Sequence, residues 1–555
     1  MDDSRTEERK NFMKPTYQDP LKKREQFAVS LRKQKTNDII VAKRRRCFDK
    51  NAESDYKESE QYRGFREFDQ KPEEYERRLN DLIPELFTVA KDESLAQKIQ
   101  LLLNKLVTNQ DYSTLEQLTI ITCIRRFISS SQEPPIDEIL QTNILDILCT
   151  VFKFNDGPED IRMMKLETVW ILTNLAHGQS DVIEPIFYPK YGFIGSINHL
   201  MKQNDSAMIE QCFWFIGNSL AENEKLRNLF LNETELIDVM YGQIMKQKIS
   251  KTLFKTLIWL TSNISRPKNL DESVVLKCLA IAEQGLFLDE EEILSDALWT
   301  ISYLCDTQND NVIDKAAKQQ NIARICQCLA EKEIYVYVPA LRCIGNMLTS
   351  NDSQITDICL WEGVIDRLTS LLFSTNSNLI KESLWALSNI TAGTQPQVDK
   401  FVDSPAFDRV LALAKSQNID HKRESLFVLC NAITGADFVL RKRILERGAD
   451  LMMSTLISGL YLQDQKILKN LMEAFDCLLD LDRFYDWKQK DISVAHMFEV
   501  NDGLNALNEV QKHPARIIYE QAYHLLESYF QEEEDQDRMD DAVGQGFNRD
   551  GQFNI

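Results

Sequence analysis

The segment ESLWALSNITAG, residues Glu382–Gly393, decides the fold because its pattern recurs along most of the chain. Its tryptophan, Trp385, is followed four residues later by an asparagine, Asn389. Three other segments have the same pair, and three more keep its register with one member replaced. In chain order these segments are ETVWILTNLAHG (167–178), QCFWFIGNSLAEN (211–223), TLIWLTSNISR (256–266), DALWTISYLCD (296–306), PALRCIGNMLTS (339–350) and ESLFVLCNAITG (424–435).

The spacing of the pairs indicates a repeat architecture. Their first positions are residues 170, 214, 259, 299, 342, 385 and 427, so the steps are 44, 45, 40, 43, 43 and 42 residues. That period is typical of the two- or three-helix armadillo or HEAT unit. Within a segment, apolar residues such as Leu298, Ile301 and Leu304 fall on one helical face. Such units must stack to bury these faces, so the sequence predicts an all-α, armadillo-repeat, right-handed superhelical solenoid.

The pattern divides the chain into three predicted regions. Residues 76–531 form the array of about ten repeats, since apolar helical stretches continue on both sides of the marked segments. Residues 1–75 are polar and lack the repeat, so we expect a flexible arm with one helix near residues 28–46. Residues 532–555 begin with seven acids in ten positions (532–541), which predicts a disordered tail.

Composition and charge exclude several classes of protein. Gly (18) and Pro (14) are scarce for 555 residues, which favours helices. The net charge is −21, but residues 21–46 contain ten basic and two acidic residues, so that segment is +8 and the remainder −29. An acidic body is not expected to bind nucleic acid. The absence of an apolar signal core or an 18-residue apolar run predicts an intracellular chain that does not span a membrane. The 12 cysteines form no C-x-x-C pair, so we expect buried reduced thiols and no metal or other cofactor.

The Trp/Asn pair suggests a binding chemistry. Residues four apart are neighbours on one helical face. An asparagine amide both donates and accepts, so a row of them can pair with the backbone of an extended peptide. Rows of indoles leave slots for the stems of lysine and arginine, with the cation near the ring. Acids that could select the cationic head stand beside the pairs at Asp296, Glu382, Glu424, Glu222 and Asp352. The alternative is a tryptophan-rich core with solvated asparagines.

Taken together, these residues resemble the importin alpha family from about residue 21 to residue 535. The segments ESLWALSNITAG, PALRCIGNMLTS and DALWTISYLCD look like particular repeats of that family, including its break in the Trp/Asn pattern at Tyr303 and Arg342. Arg266 and Lys268 stand where the family has basic residues between two binding sites. Residues 21–46, LKKREQFAVSLRKQKTNDIIVAKRRR, look like its segment that binds importin beta.

The resemblance implies two sites for lysine- and arginine-rich nuclear localisation signals. The implied major site consists of Trp170, Asn174, Gly178, Gln211, Trp214, Asn218, Glu222, Trp259, Asn263 and Asp296. The implied minor site consists of Trp299, Arg342, Asn346, Asp352, Glu382, Trp385, Ser388, Asn389 and Glu424. The chain departs from the family pattern at Glu222, where Asp is usual, at Ile183 and Ile355, where Thr is usual, and at Phe427, where Trp is usual.

The basic arm suggests a switch. The run Lys43–Arg46 (KRRR) itself looks like a localisation signal, and a short tether gives an effective concentration of roughly mM. It would compete with cargo until importin beta captures the arm, and that linkage must be reciprocal. The residues assigned to autoinhibition and importin beta binding are Lys22, Lys23, Arg24, Arg32, Lys33, Lys35, Lys43, Arg44, Arg45 and Arg46.

The resemblance further implies cargo proteins, importin beta and a nuclear export receptor as partners, and shuttling between cytoplasm and nucleus. Two other classes stay open at this stage. An armadillo scaffold for signalling or adhesion would bind other peptides, typically acidic ones along a basic groove. An enzyme is not expected, because the sequence has six His, no HExxH, no phosphate-binding glycine loop and no G-x-S-x-G motif.

Overall fold

A computed structural model describes residues 72–530, apart from residues 89–92, 110, 132, 222, 247, 268, 308 and 486–492. The predictions for the basic arm and for the acidic tail therefore lie outside the described residues, as do those for Glu222 and Lys268. Every regular element in the described part of the chain is a helix.

Twenty-eight α-helices are described. They are α1 (Pro72–Leu82), α2 (Glu85–Thr88), α3 (Leu95–Thr108), α4 (Thr114–Ser130), α5 (Ile136–Leu140), α6 (Ile144–Val151), α7 (Glu159–Leu175), α8 (Phe193–Met201), α9 (Ser206–Leu220), α10 (Glu224–Glu233), α11 (Leu236–Ile244), α12 (Lys251–Ile264), α13 (Glu272–Leu286), α14 (Glu291–Cys305), α15 (Asp310–Ala316), α16 (Gln319–Cys328), α17 (Ile334–Met347), α18 (Ser353–Trp361), α19 (Val364–Leu371), α20 (Ser377–Thr391), α21 (Gln395–Asp403), α22 (Pro405–Leu413), α23 (Ile419–Gly435), α24 (Phe438–Gly459), α25 (Gln465–Phe484), α26 (Val494–Val500), α27 (Gly503–Val510) and α28 (Arg516–Tyr529). Two short 3₁₀ helices, Glu184–Phe187 and Pro189–Tyr191, precede α8.

The described residues form two units, which meet in sequence after Cys343 within α17. In the first unit, α4, α7, α9, α12 and α14 pack in that order, each against the next. In the second unit, α20, α23, α25 and α28 do the same. Each of these helices is the last helix of a repeat, and the Trp/Asn segments lie on α7, α9, α12, α14, α17, α20 and α23. The prediction of an all-α armadillo-repeat fold is confirmed.

Local sequence sets the helix ends. Ser94 and Ser113 form capping boxes at the starts of α3 and α4, with Gln97 and Glu116 as the reciprocal partners. Gly192 and Gly363 turn the chain before α8 and α19 with φ of 66° and 73°, the left-handed region in which glycine lacks the steric penalty of other residues. These glycines stand at the same place in their repeats, between the first and second helices.

Burial accounts for the cysteines. All eleven in the described part of the chain are free thiols, and nine are buried. Burial raises the pKa of the Cys123 and Cys278 thiols to about 12, so both stay protonated near neutral pH. The expectation of buried thiols is confirmed for these nine, while Cys149 and Cys477 are partly exposed. None of the described helices is long and apolar enough to cross a membrane.

Candidate functional site

The asparagines of the Trp/Asn pairs link neighbouring repeats. In the first unit, the Asn218 Nδ2 atom donates to the backbone carbonyl of Thr173 at 3.1 Å, and Asn263 Nδ2 donates to that of Gly217 at 3.4 Å. Thr173 and Gly217 immediately precede Asn174 and Asn218. Each asparagine therefore binds the carbonyl one residue before the asparagine of the preceding repeat. We call this series of contacts the asparagine ladder.

The ladder has the same register in the second unit. Asn389 Nδ2 donates to the Gly345 carbonyl at 3.0 Å, and Asn431 Nδ2 donates to the Ser388 carbonyl at 3.1 Å. Gly345 and Ser388 immediately precede Asn346 and Asn389. Four independent contacts with one geometry show that the repeated asparagine has a defined task in packing one repeat on the next.

The asparagines of the Trp/Asn pairs differ in their exposure. An Asn amide has two N–H donors and a carbonyl acceptor, and the contact to the preceding repeat takes a single donor. Asn218 and Asn346 are half-buried, whereas Asn174, Asn263 and Asn389 are buried. The first rung differs, because Asn174 Nδ2 donates to the Ser129 hydroxyl at 3.0 Å instead of to a backbone carbonyl. Peptide binding by these amides stays a prediction.

The predicted indoles fall into two groups. Trp170, Trp214 and Trp259, assigned to the major site, are half-buried. Trp299 and Trp385, assigned to the minor site, are 1% and 5% exposed. The Trp299 ring stacks on Tyr303 of the same helix, with centroids 5.7 Å apart. Only the first group therefore presents indole surface to a ligand in this conformation.

Two glycines that the sequence did not single out make room for indoles. A Cβ atom on Gly217 would lie 2.1 Å from Cζ3 of Trp259, and one on Gly345 would lie 2.1 Å from Cζ3 of Trp385. Both glycines stand in an Ile-Gly-Asn triplet, at residues 216–218 and 344–346, one repeat before the tryptophan they contact. The recurrence of the Ile-Gly-Asn triplet is the sequence feature that could have identified these two glycines.

The other residues of the predicted major site have structural partners. Gln211 is buried and donates from Nε2 to the Thr173 hydroxyl at 2.7 Å. Gly178 is packed so closely that a Cβ would lie 3.0 Å from Cγ2 of Ile183. Asp296 is half-buried on α14.

Two arginines lie near these residues in the sequence. Arg266 donates to the Ala221 carbonyl. Burial, together with the positive charge of Arg266, lowers the pKa of the Arg227 guanidinium to about 10.

The predicted minor-site residues lie in both units. Arg342, half-buried, lies in the unit that ends at Cys343. In the other unit, Asp352 caps α18 by accepting from the Gln354 N–H at 2.9 Å, and Ser388 is buried with its hydroxyl donating to the Trp385 carbonyl at 2.7 Å. Glu382 and Glu424 are 7% and 5% exposed. The Arg423 guanidinium lies 3.3 Å from Glu424 Oε1, so this acid already has a cationic neighbour.

The described residues contain no group of three His, Cys, Asp or Glu side chains that could hold a metal ion. The half-buried side chains Trp170, Trp214, Asn218 and Trp259 offer aromatic faces and an amide, so non-covalent recognition by this row stays a prediction. It suits an extended ligand with a regular backbone and cationic side chains.

Comparison with known proteins agrees with this architecture. Residues 354–392 match an armadillo/beta-catenin-like repeat, and residues 493–544 match an atypical Arm repeat. The crystal structure of an engineered protein superposes with a TM-score of 0.64 at 16% identity, covering 79% of this chain and 99% of that one. The chain therefore has an armadillo-repeat fold.

The sequence relatives are more specific. Importin subunit alpha-1b of Oryza sativa subsp. japonica is 27% identical over 84% of this chain and 85% of its own length. Importin subunit alpha-4 of Arabidopsis thaliana is 27% identical over 78% and 80%, and probable importin subunit alpha-A of Dictyostelium discoideum is 29% identical over 43% and 44%. This chain is a homologue of the importin alpha subunits, which confirms the resemblance inferred from the Trp/Asn segments.

Replacing Gly217 by alanine tests the packing of the ladder. The added methyl would displace the Trp259 indole, and overpacking of this kind costs about 1–3 kcal/mol. We expect Gly217→Ala to lower the urea midpoint of unfolding and to shift tryptophan fluorescence. The matched control is Gly195→Ala on α8, where a Cβ would meet nothing within 4 Å. Equal behaviour of the two variants would contradict the contact.

Proposed function

We propose that this chain is a nuclear import adaptor that binds lysine- and arginine-rich localisation signals along the half-exposed Trp/Asn row of α7, α9 and α12. The supporting observation is the fixed register of that row. Each amide is oriented by its bond to the preceding repeat, and Trp259 is held against Gly217. A preorganised row binds an extended peptide with less loss of conformational entropy than a flexible surface.

The ligand class follows from the side chains of the row. Repeated amides match the repeated N–H and C=O groups of an extended backbone, so this part of recognition does not depend on the ligand sequence. The half-buried faces of Trp170, Trp214 and Trp259 suit the alkyl stems and charged heads of lysine and arginine. The net charge of −29 outside residues 21–46 would attract a basic ligand.

The rest of the proposed function concerns the arm and the second site. In our proposal, residues 21–46 bind importin beta, and the run Lys43–Arg46 occupies the row until importin beta captures it. The importin alpha homologues support cargo and importin beta as partners, and shuttling between cytoplasm and nucleus. In the minor site, Trp385 is buried, so that site would use the half-buried Asn346 and its neighbouring acids more than an indole face.

Substitution in the row tests cargo binding. We expect Trp214→Ala and Asn218→Ala each to weaken binding of a fluorescent lysine-rich signal peptide at least about tenfold, because a stacked cation and an amide pair are lost. Fluorescence anisotropy of the full chain would give the Kd. Matched controls are Trp361→Ala, an 81% exposed tryptophan on α18, and Asn232→Ala on the exposed side of α10. Losses as large in the controls, or none in the row variants, would contradict the proposal.

Neutralising the arm tests autoinhibition. Replacing Lys43, Arg44, Arg45 and Arg46 by alanine in the full chain should tighten binding of the same peptide about tenfold or more, because the tethered competitor is removed. The control replaces Lys22, Lys23 and Arg24, which should weaken importin beta binding and change peptide affinity little. Unchanged peptide affinity in the first variant would show that the arm does not occupy the row.

A further inference from the structure

The indole at the start of the row already has a cation on one face. The Arg125 guanidinium carbon lies 4.6 Å from the ring centroid of Trp170. The same guanidinium is held by Glu167, with Nε 2.7 Å from Oε2 and Nη2 3.3 Å from Oε1. Both side chains are at most 3% exposed. The buried acid and guanidinium and the half-buried Trp170 indole thus form one assembly between α4 and α7.

The sequence spacing shows which position of the repeat Arg125 occupies. Arg125 precedes Trp170 by 45 residues, and Ser129 precedes Asn174 by the same number. The Asn174 amide donates to Ser129, which is the contact that begins the ladder. In the helix before the first Trp/Asn pair, Arg125 therefore stands at the tryptophan position and Ser129 at the asparagine position. An arginine of the chain thus stands in the first interval at the position where α7, α9, α12, α14 and α20 have an indole; Arg342 stands at the same position on α17.

Glu167 connects this assembly with the rest of the series. It lies three residues before Trp170, the same offset that separates Asp296 from Trp299 and Glu382 from Trp385. At Trp214 and Trp259 the corresponding residues are the neutral Gln211 and Thr256. The contacts of Glu167 show how such an acid and the indole that follows it hold a guanidinium between them.

We propose that Arg125 is a built-in ligand of the Glu167–Trp170 pocket and that it sets the end of the basic-peptide site. This proposal rests on the proposed function and adds a specificity determinant to it. Arg125 closes the first interval, so a basic segment bound to the row has no cation slot beyond Trp170. Removing the guanidinium would open a slot with an acid and an aromatic face already in position, and the site would then accept a basic segment one residue longer.

The test compares the full chain with Arg125→Ala. The probes are a lysine-rich peptide and two versions extended by one arginine, at the N-terminus or at the C-terminus. In the unsubstituted chain we expect neither extension to change the Kd by more than about twofold, because only long-range attraction is gained. In Arg125→Ala we expect one of the two extensions to tighten binding about tenfold, because its guanidinium enters the vacated pocket. Arg125→Ala/Glu167→Gln should lose that gain, since the acid is gone.

A second measurement covers the case in which Arg125→Ala folds poorly, because it leaves Glu167 buried without its partner. Millimolar methylguanidinium should raise the thermal midpoint of Arg125→Ala, or restore its helical circular dichroism, while methylammonium should not. The same additive should leave the unsubstituted chain unchanged. This readout does not involve peptide binding.

The measurements distinguish failure of the proposed function from failure of the proposal for Arg125. If the unsubstituted chain does not bind the parent peptide, the proposed function fails, and the methylguanidinium measurement alone decides whether the pocket accepts a free guanidinium. If the parent peptide binds but the extensions have equal effects in the unsubstituted chain and in Arg125→Ala, the role of Arg125 in setting the site boundary is overturned. Rescue by methylammonium as strong as that by methylguanidinium would also overturn the proposal.

Discussion

The hydrogen bond from one asparagine amide to the carbonyl just before the preceding asparagine is the constraint on which the rest of the site depends. It recurs at Asn218, Asn263, Asn389 and Asn431 with donor–acceptor distances of 3.0–3.4 Å. These hydrogen bonds, three of them buried, tolerate little displacement, so they fix the register of one repeat on the next. Wherever that register holds, the aromatic residue one turn earlier is aligned as well, and at Gly217 the missing Cβ lets the Trp259 indole lie against the neighbouring helix.

In the proposed function, packing and recognition use the same side chains. The proposed role in peptide binding needs amides and indoles that are held in place yet still reach a ligand. In the row of α7, α9 and α12, Asn218 and the three indoles Trp170, Trp214 and Trp259 are half-buried, whereas Asn174 and Asn263 are buried. Trp299 and Trp385 contribute to packing and offer little surface to a ligand, since both are buried. The two predicted sites thus differ in how much indole surface they offer, although their sequence motifs are alike.

Sequence predicted the helices and their grouping because the Trp/Asn period of 40–45 residues is visible without any structure. It also predicted which face of each helix is special, since residues four apart share a face. It did not predict that the asparagine donates to a neighbouring repeat, because the acceptor is a backbone carbonyl that no residue type marks. The Arg125–Glu167 pair was missed for a different reason: its members are 42 residues apart, and Arg125 precedes the first Trp/Asn segment. Pro339 would ordinarily predict a helix start, yet α17 begins at Ile334, where packing outweighs the lost hydrogen bond.

The central claim is that the row binds extended basic peptides, and the most direct measurement is a pair of isotherms on the full chain. A lysine-rich peptide and a glutamate-substituted peptide of equal length would be titrated at low and at high salt, with intrinsic tryptophan fluorescence as the signal. The account predicts saturable binding of the basic peptide alone, weakened by salt and accompanied by a change in indole emission. Preference for the acidic peptide, or binding of the basic one without any fluorescence change, would contradict the account and favour a scaffold that recognises other ligands.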